Sequence, residues 1–239
     1  MRQYVARRFD PDARAGLRLT LLALGLVLVA VVVLPLGVLV REKWAPLARL
    51  DTAVEGRAYD ATAASGVLER VAELLTHLGA PLLLEVAAAL LALWLVRHGH
   101  RRSAGYLVVC VLGAYTLSTI GKYAVDRARP VFDEPLSVAR GASFPSGHAT
   151  GSAAFYLALA VVLLAFVRHE RRKWLLAMAI VVPLVVAATR VLLGVHYLTD
   201  VTAGLLLGWG WVAACTALFA AWRADEGEPV HVLEEGIDP

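Results

Sequence analysis

The chain has 239 residues, of which 59% are hydrophobic and only 18% are charged. Soluble domains of this length usually carry about a quarter charged residues, so the composition argues against a soluble fold. The apolar residues also fall into blocks close to the roughly 20 residues that a helix needs to cross hydrocarbon. Composition and block length together indicate an integral membrane protein.

Six apolar blocks rich in Leu, Val and Ala predict six transmembrane helices. None of the blocks alternates apolar and polar residues as a strand of a membrane barrel does. We therefore expect an all-α bundle that forms one membrane domain over residues 1–223. The first helix should be retained, because no small-residue cleavage site follows it. The predicted spans are 17–40, 78–96, 103–123, 149–167, 174–190 and 201–222.

Two further segments lie outside these spans. The segment 41–77 joins the first two spans, and its part 67–78 (VLERVAELLTHL) places apolar residues on one helical face. It is either an interfacial helix beside the site or an amphipathic extension of the second span, and the sequence leaves both open. The tail 224–239 is acidic, and we expect it to be cytoplasmic and disordered.

Basic residues predict the orientation of the bundle. The loop 97–102 (RHGHRR) is short and purely basic, whereas the longer segment 41–77 mixes basic with acidic residues. Because short basic loops stay in the cytoplasm, both termini are predicted to be cytoplasmic. The small size of the chain favours a bacterial plasma membrane. On this topology segment 41–77 is a helical outer loop.

Three polar clusters then fall at the outer face, although they are far apart in the sequence. They occur at the ends of apolar helices and so at one predicted membrane depth. Their convergence predicts a functional site on the extracytoplasmic side. The clusters are KYAVDRARP at 122–130, PSGH at 145–148 and TRVLLGVHYLTD at 189–200.

The cations of these clusters favour an anionic ligand. Lys122, Arg129 and Arg190 lie at the ends of apolar helices, where a lone charge is costly. Arginine in particular suits bidentate contact with phosphate. Ser146 and Gly147 come where a helix begins, so free backbone N–H groups and the helix dipole can also hold phosphate oxygens.

Two histidines could divide the chemistry of phosphoryl transfer. His196 and Asp200 are four residues apart, which puts them on one face of a helix. The carboxylate can fix the imidazole tautomer and leave the other ring nitrogen free to attack. His148 lies close to the same anionic ligand, so one histidine can be the nucleophile and the other the general acid. Neither a metal nor a cofactor is needed.

These three segments resemble the signatures of the type-2 phosphatidic-acid phosphatase superfamily, in order and in spacing. Thr189 stands where the third signature commonly has serine. The resemblance implies that His196 forms a phosphohistidine, that His148 is the acid and that Asp200 orients His196. It also implies phosphate binding by the remaining five residues, which are Lys122, Arg129, Ser146, Gly147 and Arg190.

The expected activity is metal-independent hydrolysis of a phosphomonoester or diphosphate on a membrane lipid. Phosphatidic acid, phosphatidylglycerol phosphate and a polyprenyl diphosphate all fit, and nothing in the sequence ranks them. We expect the lipid phosphate and the bilayer as partners and no nucleic acid, and the sequence does not predict an oligomeric state.

Alternative functions are a lipid phosphotransferase on the same scaffold and a non-enzymatic protein that binds or transports lipid phosphates. The complete His/Asp arrangement argues against the second alternative. Soluble vanadate-dependent haloperoxidases share the signatures but lack the predicted spans. Taken singly, Lys122 and Arg129 could also be anchors that extend to lipid headgroups.

Overall fold

The computed structural model describes residues 25, 27–164 and 166–225. Within them the chain is helical and contains no strand. A π-helix over Leu28–Val33 continues directly into the first of the eight α-helices that these ranges contain. In chain order these are α1 (Leu34–Arg41), α2 (Ala45–Ala63), α3 (Gly66–Thr76), α4 (Pro81–Arg97), α5 (Arg101–Val125), α6 (Gly147–Leu163), α7 (His169–Leu192) and α8 (Leu198–Asp225).

The predicted apolar spans fall on these helices. Four helical stretches are long and apolar enough to cross a membrane, namely Gly66–Arg97, Arg101–Val125, His169–Leu192 and Leu198–Phe219. Val31–Arg41 and Gly147–Leu163 are apolar but shorter. The first predicted span begins outside the described residues, and most of the predicted acidic tail lies outside them too. The helix α8 includes the first two residues of that predicted tail.

The helix α6 lies at the centre of the bundle, where α5, α7 and α8 pack around it. Most of its buried residues are small, so neighbouring backbones come close to its own. A Cβ atom at Gly204 would lie 2.8 Å from the carbonyl oxygen of Ser146, and one at Gly208 would lie 2.5 Å from that of Thr150. Only glycine therefore allows α8 to lie this close to the first turns of α6.

The outer surface of the bundle is apolar. On α4 the side chains of Leu82 and Leu90 are 74% and 63% exposed, and Ile180 on α7 is 52% exposed. Large exposed apolar surfaces of this kind suit contact with lipid chains rather than with water. The fold and the composition agree on a multi-helix membrane protein.

The connection between α4 and α5 meets the connection between α6 and α7 at one end of the bundle. The His100 ring packs edge-on against the Phe166 ring, with their centroids 5.1 Å apart. Because α5 runs from this end to Lys122, the polar clusters lie at the opposite end. This arrangement matches the expected separation of the basic loops from the site.

The segment between the first two predicted spans is helical, as α2 and α3. In α3 the oxygen Oγ of Ser65 accepts a hydrogen bond from the backbone N–H of Leu68 at 3.3 Å and caps the helix. Ala72 and Thr76 of α3 are buried. A 3₁₀ turn over His77–Gly79 then joins α3 to α4.

The helix α2 differs from the other helices because its buried face is polar. Asp51 and Thr62 are fully buried, and Glu55 is nearly so. Buried polar groups of this kind require partners. The partners of Asp51 lie in the site.

Candidate active site

The polar clusters converge between the C-terminal ends of α5 and α7 and the N-terminal ends of α6 and α8. Loop 126–146 connects α5 to α6, and loop 193–197 connects α7 to α8. The backbone N–H of Ser146 donates to the carbonyl oxygen of Asp200 at 3.0 Å. This bond ties the start of α6 to the start of α8, so the three predicted segments form one site.

His196 and Asp200 form the buried centre of the site. The His196 side chain is 2% exposed, and its Nδ1 lies 3.4 Å from Oδ2 of Asp200. The same carboxylate oxygen accepts from the backbone N–H of Tyr197 at 3.0 Å. The predicted pairing of imidazole and carboxylate is therefore present.

The contacts of His196 determine which ring nitrogen carries the proton. The guanidinium Nη1 of Arg129 lies 3.0 Å from His196 Nε2. A guanidinium can only donate, so Nε2 accepts and the proton lies on Nδ1, facing Asp200. Burial lowers the pKa of His196 to about 4, against the opposing effect of the Asp200 carboxylate. At neutral pH the ring is thus neutral, with an unprotonated Nε2 whose lone pair accepts the hydrogen bond from Arg129.

Arg129 is held by backbone carbonyls. Its Nη1 donates to the Val195 carbonyl at 2.8 Å, and its Nε donates to the Gly141 carbonyl at 2.9 Å. Its Nη2 donates to the carbonyls of Arg140 and Ala142 at 3.2 and 3.3 Å. Carbonyl dipoles orient the guanidinium without cancelling its charge, so Arg129 remains a cation beside Nε2.

Lys122 and Arg190 bring two more cations to the site from α5 and α7. Lys122 Nζ donates to the carbonyls of Ala142 and Pro145 at 2.8 and 3.0 Å. Arg190 is 5% exposed and donates from Nη1 to Thr76 Oγ1 at 2.9 Å. Its Nε is buried and has no hydrogen-bond partner among the described residues. An unpartnered buried donor is suited to an anionic ligand.

The N-terminus of α6 provides the neutral part of the site. Ser146 is fully buried, and its Oγ has no hydrogen-bond partner among the described residues. A Cβ atom placed on Gly147 would meet no side chain nearer than Ser118 Oγ, 4.0 Å away. There is thus space directly above the first N–H groups of the helix, where phosphate oxygens bind in many proteins.

His148 lies in the first turn of α6 and is partly exposed. The charges of Arg190 and Arg129 act on its imidazole, and His196 is also among its electrostatic neighbours, so His148 belongs to the same cluster. His77, on the turn after α3, also lies within electrostatic range. The structure therefore brings together all eight residues that the sequence singled out.

Three residues of the site are absent from the sequence-based set, namely Asp51, Arg127 and Thr199. Arg127 pairs with Asp200 and with Asp51, at 2.7 Å in each case. Arg127 belongs to the cluster at 122–130, but its spacing matches no signature. Asp51 lies in a segment of mixed charge, where only its spacing of four residues from Glu55 indicated a polar helical face.

The described residues contain no group of three or more His, Cys, Asp or Glu side chains that could hold a metal ion. Apart from Asp200, the residues that the sequence singled out supply cations, hydroxyl and amide donors and two imidazoles. Such a set suits an anion with several oxygens, and phosphate fits it well.

Comparisons with known proteins agree with this description. A model of the PAP2 superfamily matches residues 103–224. Phosphatidylglycerophosphatase B of Bacillus subtilis (strain 168) is 34% identical over an alignment of 146 residues that covers 56% of this chain and 66% of that protein. Lipid A 1-phosphatase of Rhizobium etli is 36% identical over an alignment of 139 residues that covers 51% of this chain and 56% of that protein. The chain therefore spans less than two thirds of the length of either relative.

The fold has a counterpart among solved structures. The crystal structure of a transmembrane PAP2-type phosphatidylglycerolphosphate phosphatase from Bacillus subtilis superposes with a TM-score of 0.69. The match covers 89% of this chain and 98% of that one, at 24% identity. The two proteins share an all-helical membrane fold.

Fold and site together define a membrane protein with a cluster of cations and histidines at one end of its helical bundle. The family match covers half of the chain, and residues 103–224 include all three signatures, on α5 to α8 and on the loops that join them. The chain belongs to the PAP2 superfamily, as the resemblance of its motifs predicted.

Proposed function

We propose that the protein hydrolyses a phosphomonoester or diphosphate on a membrane lipid through a phosphohistidine on His196. One observation carries the proposal. The Nδ1 side of His196 faces a carboxylate while Nε2 faces a guanidinium. This arrangement holds a neutral nucleophile next to a cation that can stabilise a phosphoryl group. The family match and the names of the two relatives add support.

In the first step, His196 Nε2 attacks phosphorus and the bond to the leaving lipid oxygen breaks. His148, whose protonated form is favoured by the negative charge of the bound phosphate, donates a proton to that oxygen. The lipid then leaves as a neutral alcohol, or as a monophosphate when the substrate is a diphosphate. Lys122, Arg129 and Arg190 offset the charge on the equatorial oxygens, together with the N–H groups at the start of α6. Asp200 stabilises the positive charge that develops on the attacking imidazole.

In the second step, water attacks the phosphohistidine. His148 now accepts the proton of the water, the P–N bond breaks, and inorganic phosphate leaves. His196 returns to its neutral state and His148 is again protonated, so the cycle balances without an external group. The three cations offset the charge of the transferred phosphoryl group, which makes catalysis independent of a divalent metal.

The placement in the membrane is part of the same proposal. Six helices cross the plasma membrane with both termini in the cytoplasm, and the site opens on the extracytoplasmic face. The separation of the basic connections from the site supports this orientation. A site at one end of an apolar bundle lies at the depth of lipid headgroups. Phosphatidylglycerol phosphate, phosphatidic acid and polyprenyl diphosphates are the substrates to compare first.

Release of inorganic phosphate from a panel of these lipids in detergent micelles tests the proposal. We expect turnover without an added acceptor, no loss with a chelator, and inhibition by vanadate, which imitates the five-coordinate phosphoryl group. His196→Ala should abolish turnover. His169→Ala, an exposed histidine at the start of α7, is the matched control.

Labelled substrate and rapid quenching should trap an acid-labile phosphoenzyme in the wild type and none in His196→Ala. Wild-type turnover by His196→Ala would remove the nucleophile. Phosphate release that requires magnesium would contradict the metal-independent site. Phosphate release only when an acceptor alcohol is added would instead support a phosphotransferase.

A further inference from the structure

An ionic network lies next to the His196–Asp200 pair, and its two carboxylates are fully buried while its guanidinium is 15% exposed. It links α2, loop 126–146 and the first turn of α8. Its members are Asp51, Arg127, Thr199 and Asp200. None of these residues except Asp200 has a role in the proposed reaction.

Arg127 lies between two fully buried carboxylates. Its Nη1 donates to Asp200 Oδ1 at 2.7 Å and to Thr199 Oγ1 at 2.7 Å, and its Nη2 donates to Asp51 Oδ2 at 2.7 Å. The guanidinium also lies over the Tyr197 ring, 3.8 Å from the ring centroid. Both terminal nitrogens of Arg127 are thus directed at protein atoms.

Asp51 is equally well bound. Its Oδ1 accepts from the backbone N–H of Thr199 at 3.0 Å, and its Oδ2 accepts from Thr199 Oγ1 at 2.6 Å. The carboxylate therefore also lies at the N-terminus of α8, where the helix dipole favours an anion. Removing one partner of a buried network leaves an uncompensated charge and is strongly destabilising.

The network fixes the Asp200 carboxylate in place. Oδ1 is taken by Arg127, while Oδ2 accepts from Tyr197 N–H and faces His196 Nδ1. Rotation of the carboxylate about the Cβ–Cγ bond would break all of these contacts together. Asp51 also pairs with the Arg127 guanidinium, which therefore neutralises the Asp200 carboxylate only in part. Asp200 thus remains a strong hydrogen-bond acceptor for the N–H group of His196.

We propose that Asp51 and Arg127 are positioning residues that hold Asp200 in the orientation that keeps the His196 proton on Nδ1. The helix α2 then contributes a residue that supports the active site and does not merely connect two spans. This inference rests on the proposed role of His196 as nucleophile. Arg127 differs in this respect from Arg190, whose buried Nε has no partner among the described residues and suits the ligand.

The test is Asp51→Asn, which keeps the size of the side chain and removes its charge. We expect kcat to fall by about ten- to a hundredfold, as substitutions of residues that orient a reactive group commonly do. KM should stay within about threefold of the wild-type value, because the cations that bind phosphate are untouched. Asp60→Asn, an exposed aspartate on the same helix, is the matched control.

A second set of variants separates positioning from loss of folding. Thr199→Val removes the hydroxyl that joins Asp51 to Arg127, whereas Thr199→Ser keeps it. We expect Thr199→Ser to restore most of the kcat that Thr199→Val loses. The double variant Asp51→Asn with Arg127→Gln should cost little more than either single change, because both act through one network.

The ¹⁵N spectrum of histidine-labelled protein gives a readout that needs no substrate. His196 is assigned by the signal that His196→Asn removes. The wild type should show the Nδ1–H tautomer, and Asp51→Asn should show a mixture. Unchanged His196 shifts in Asp51→Asn would overturn the inference, and so would a rise in KM with kcat unchanged. A wild type that releases no phosphate would end the proposed function, while the tautomer would still decide this inference.

Discussion

Replacement of Asp200 by asparagine is the sharpest perturbation of the site. The carboxylate has donors on both sides, with Arg127 Nη1 at Oδ1 and the N–H groups of Tyr197 and His196 at Oδ2. Asparagine offers one oxygen and one NH₂ group, so on one side the NH₂ group must face a hydrogen-bond donor of the protein. Because the bond to the charged guanidinium is the stronger one, the oxygen should turn toward Arg127.

The NH₂ group of asparagine would then face His196 Nδ1. The imidazole can accept from it only by moving its proton to Nε2, which removes the nucleophilic lone pair and opposes Arg129 Nη1. The analogous loss of the productive tautomer in a serine protease lowers kcat by about 10⁴. That factor corresponds to about 5 kcal/mol of transition-state stabilisation. We expect a fall in kcat of about 10³- to 10⁴-fold.

The assay is steady-state phosphate release in detergent micelles, with kcat and KM determined separately. KM should change little, since the phosphate ligands remain. Asp133→Asn, an exposed aspartate in loop 126–146, is the control and should match the wild type. A kcat for Asp200→Asn within about tenfold of the wild type would refute the argument that the carboxylate sets the tautomer.

Two further predictions concern the anion cradle and the buried ring. Gly147→Ala places a methyl group whose nearest side-chain neighbour is Ser118 Oγ, 4.0 Å away. The thermal unfolding midpoint should therefore stay unchanged, while the inhibition constant of vanadate should rise by about tenfold or more. Gly66→Ala, at the start of α3 with open space around it, is the control and should change neither quantity. His196, with a folded-state pKa of about 4 against 6.5 for the free side chain, binds fewer protons when folded, so its contribution to stability falls by about 2 kcal/mol between pH 7 and pH 5. Chemical unfolding in detergent should show this loss in the wild type and not in His196→Asn, and equal pH dependence of the two proteins would contradict the buried neutral ring.

The sequence carries enough to predict the ligand-facing part of the site. Lys122, Arg190 and His148 lie at the ends of apolar helices, where a charged or titratable group is costly unless it is functional. Arg129 follows the end of α5 by four residues. Charged or titratable residues next to an apolar span are therefore easy to recognise in the sequence as candidates for a functional site. The spacing of His196 and Asp200 adds a pairing that helical geometry predicts directly.

The network behind His196 could not be predicted in the same way. Asp51 lies in a segment where acidic and basic residues alternate with apolar ones, and such a segment also suits a helix surface in water. Its partner Arg127 is 76 positions away in the sequence. A contact between positions so far apart depends on how α2 folds back over the bundle, which no local pattern specifies. The same holds for Thr76, which orients Arg190 across 114 positions.

The cations of the site fall into two groups that differ in their hydrogen-bond partners. Lys122 and Arg129 are oriented by backbone carbonyls and Arg190 by a hydroxyl, and none of these contacts involves a carboxylate. These three cations therefore keep their charge for a ligand. Arg127 is instead held by two carboxylates, and the charge within that network is negative overall. A positive field thus faces the ligand and a negative one lies behind His196. Such a gradient favours the step in which the imidazole gives electrons to phosphorus and becomes positively charged.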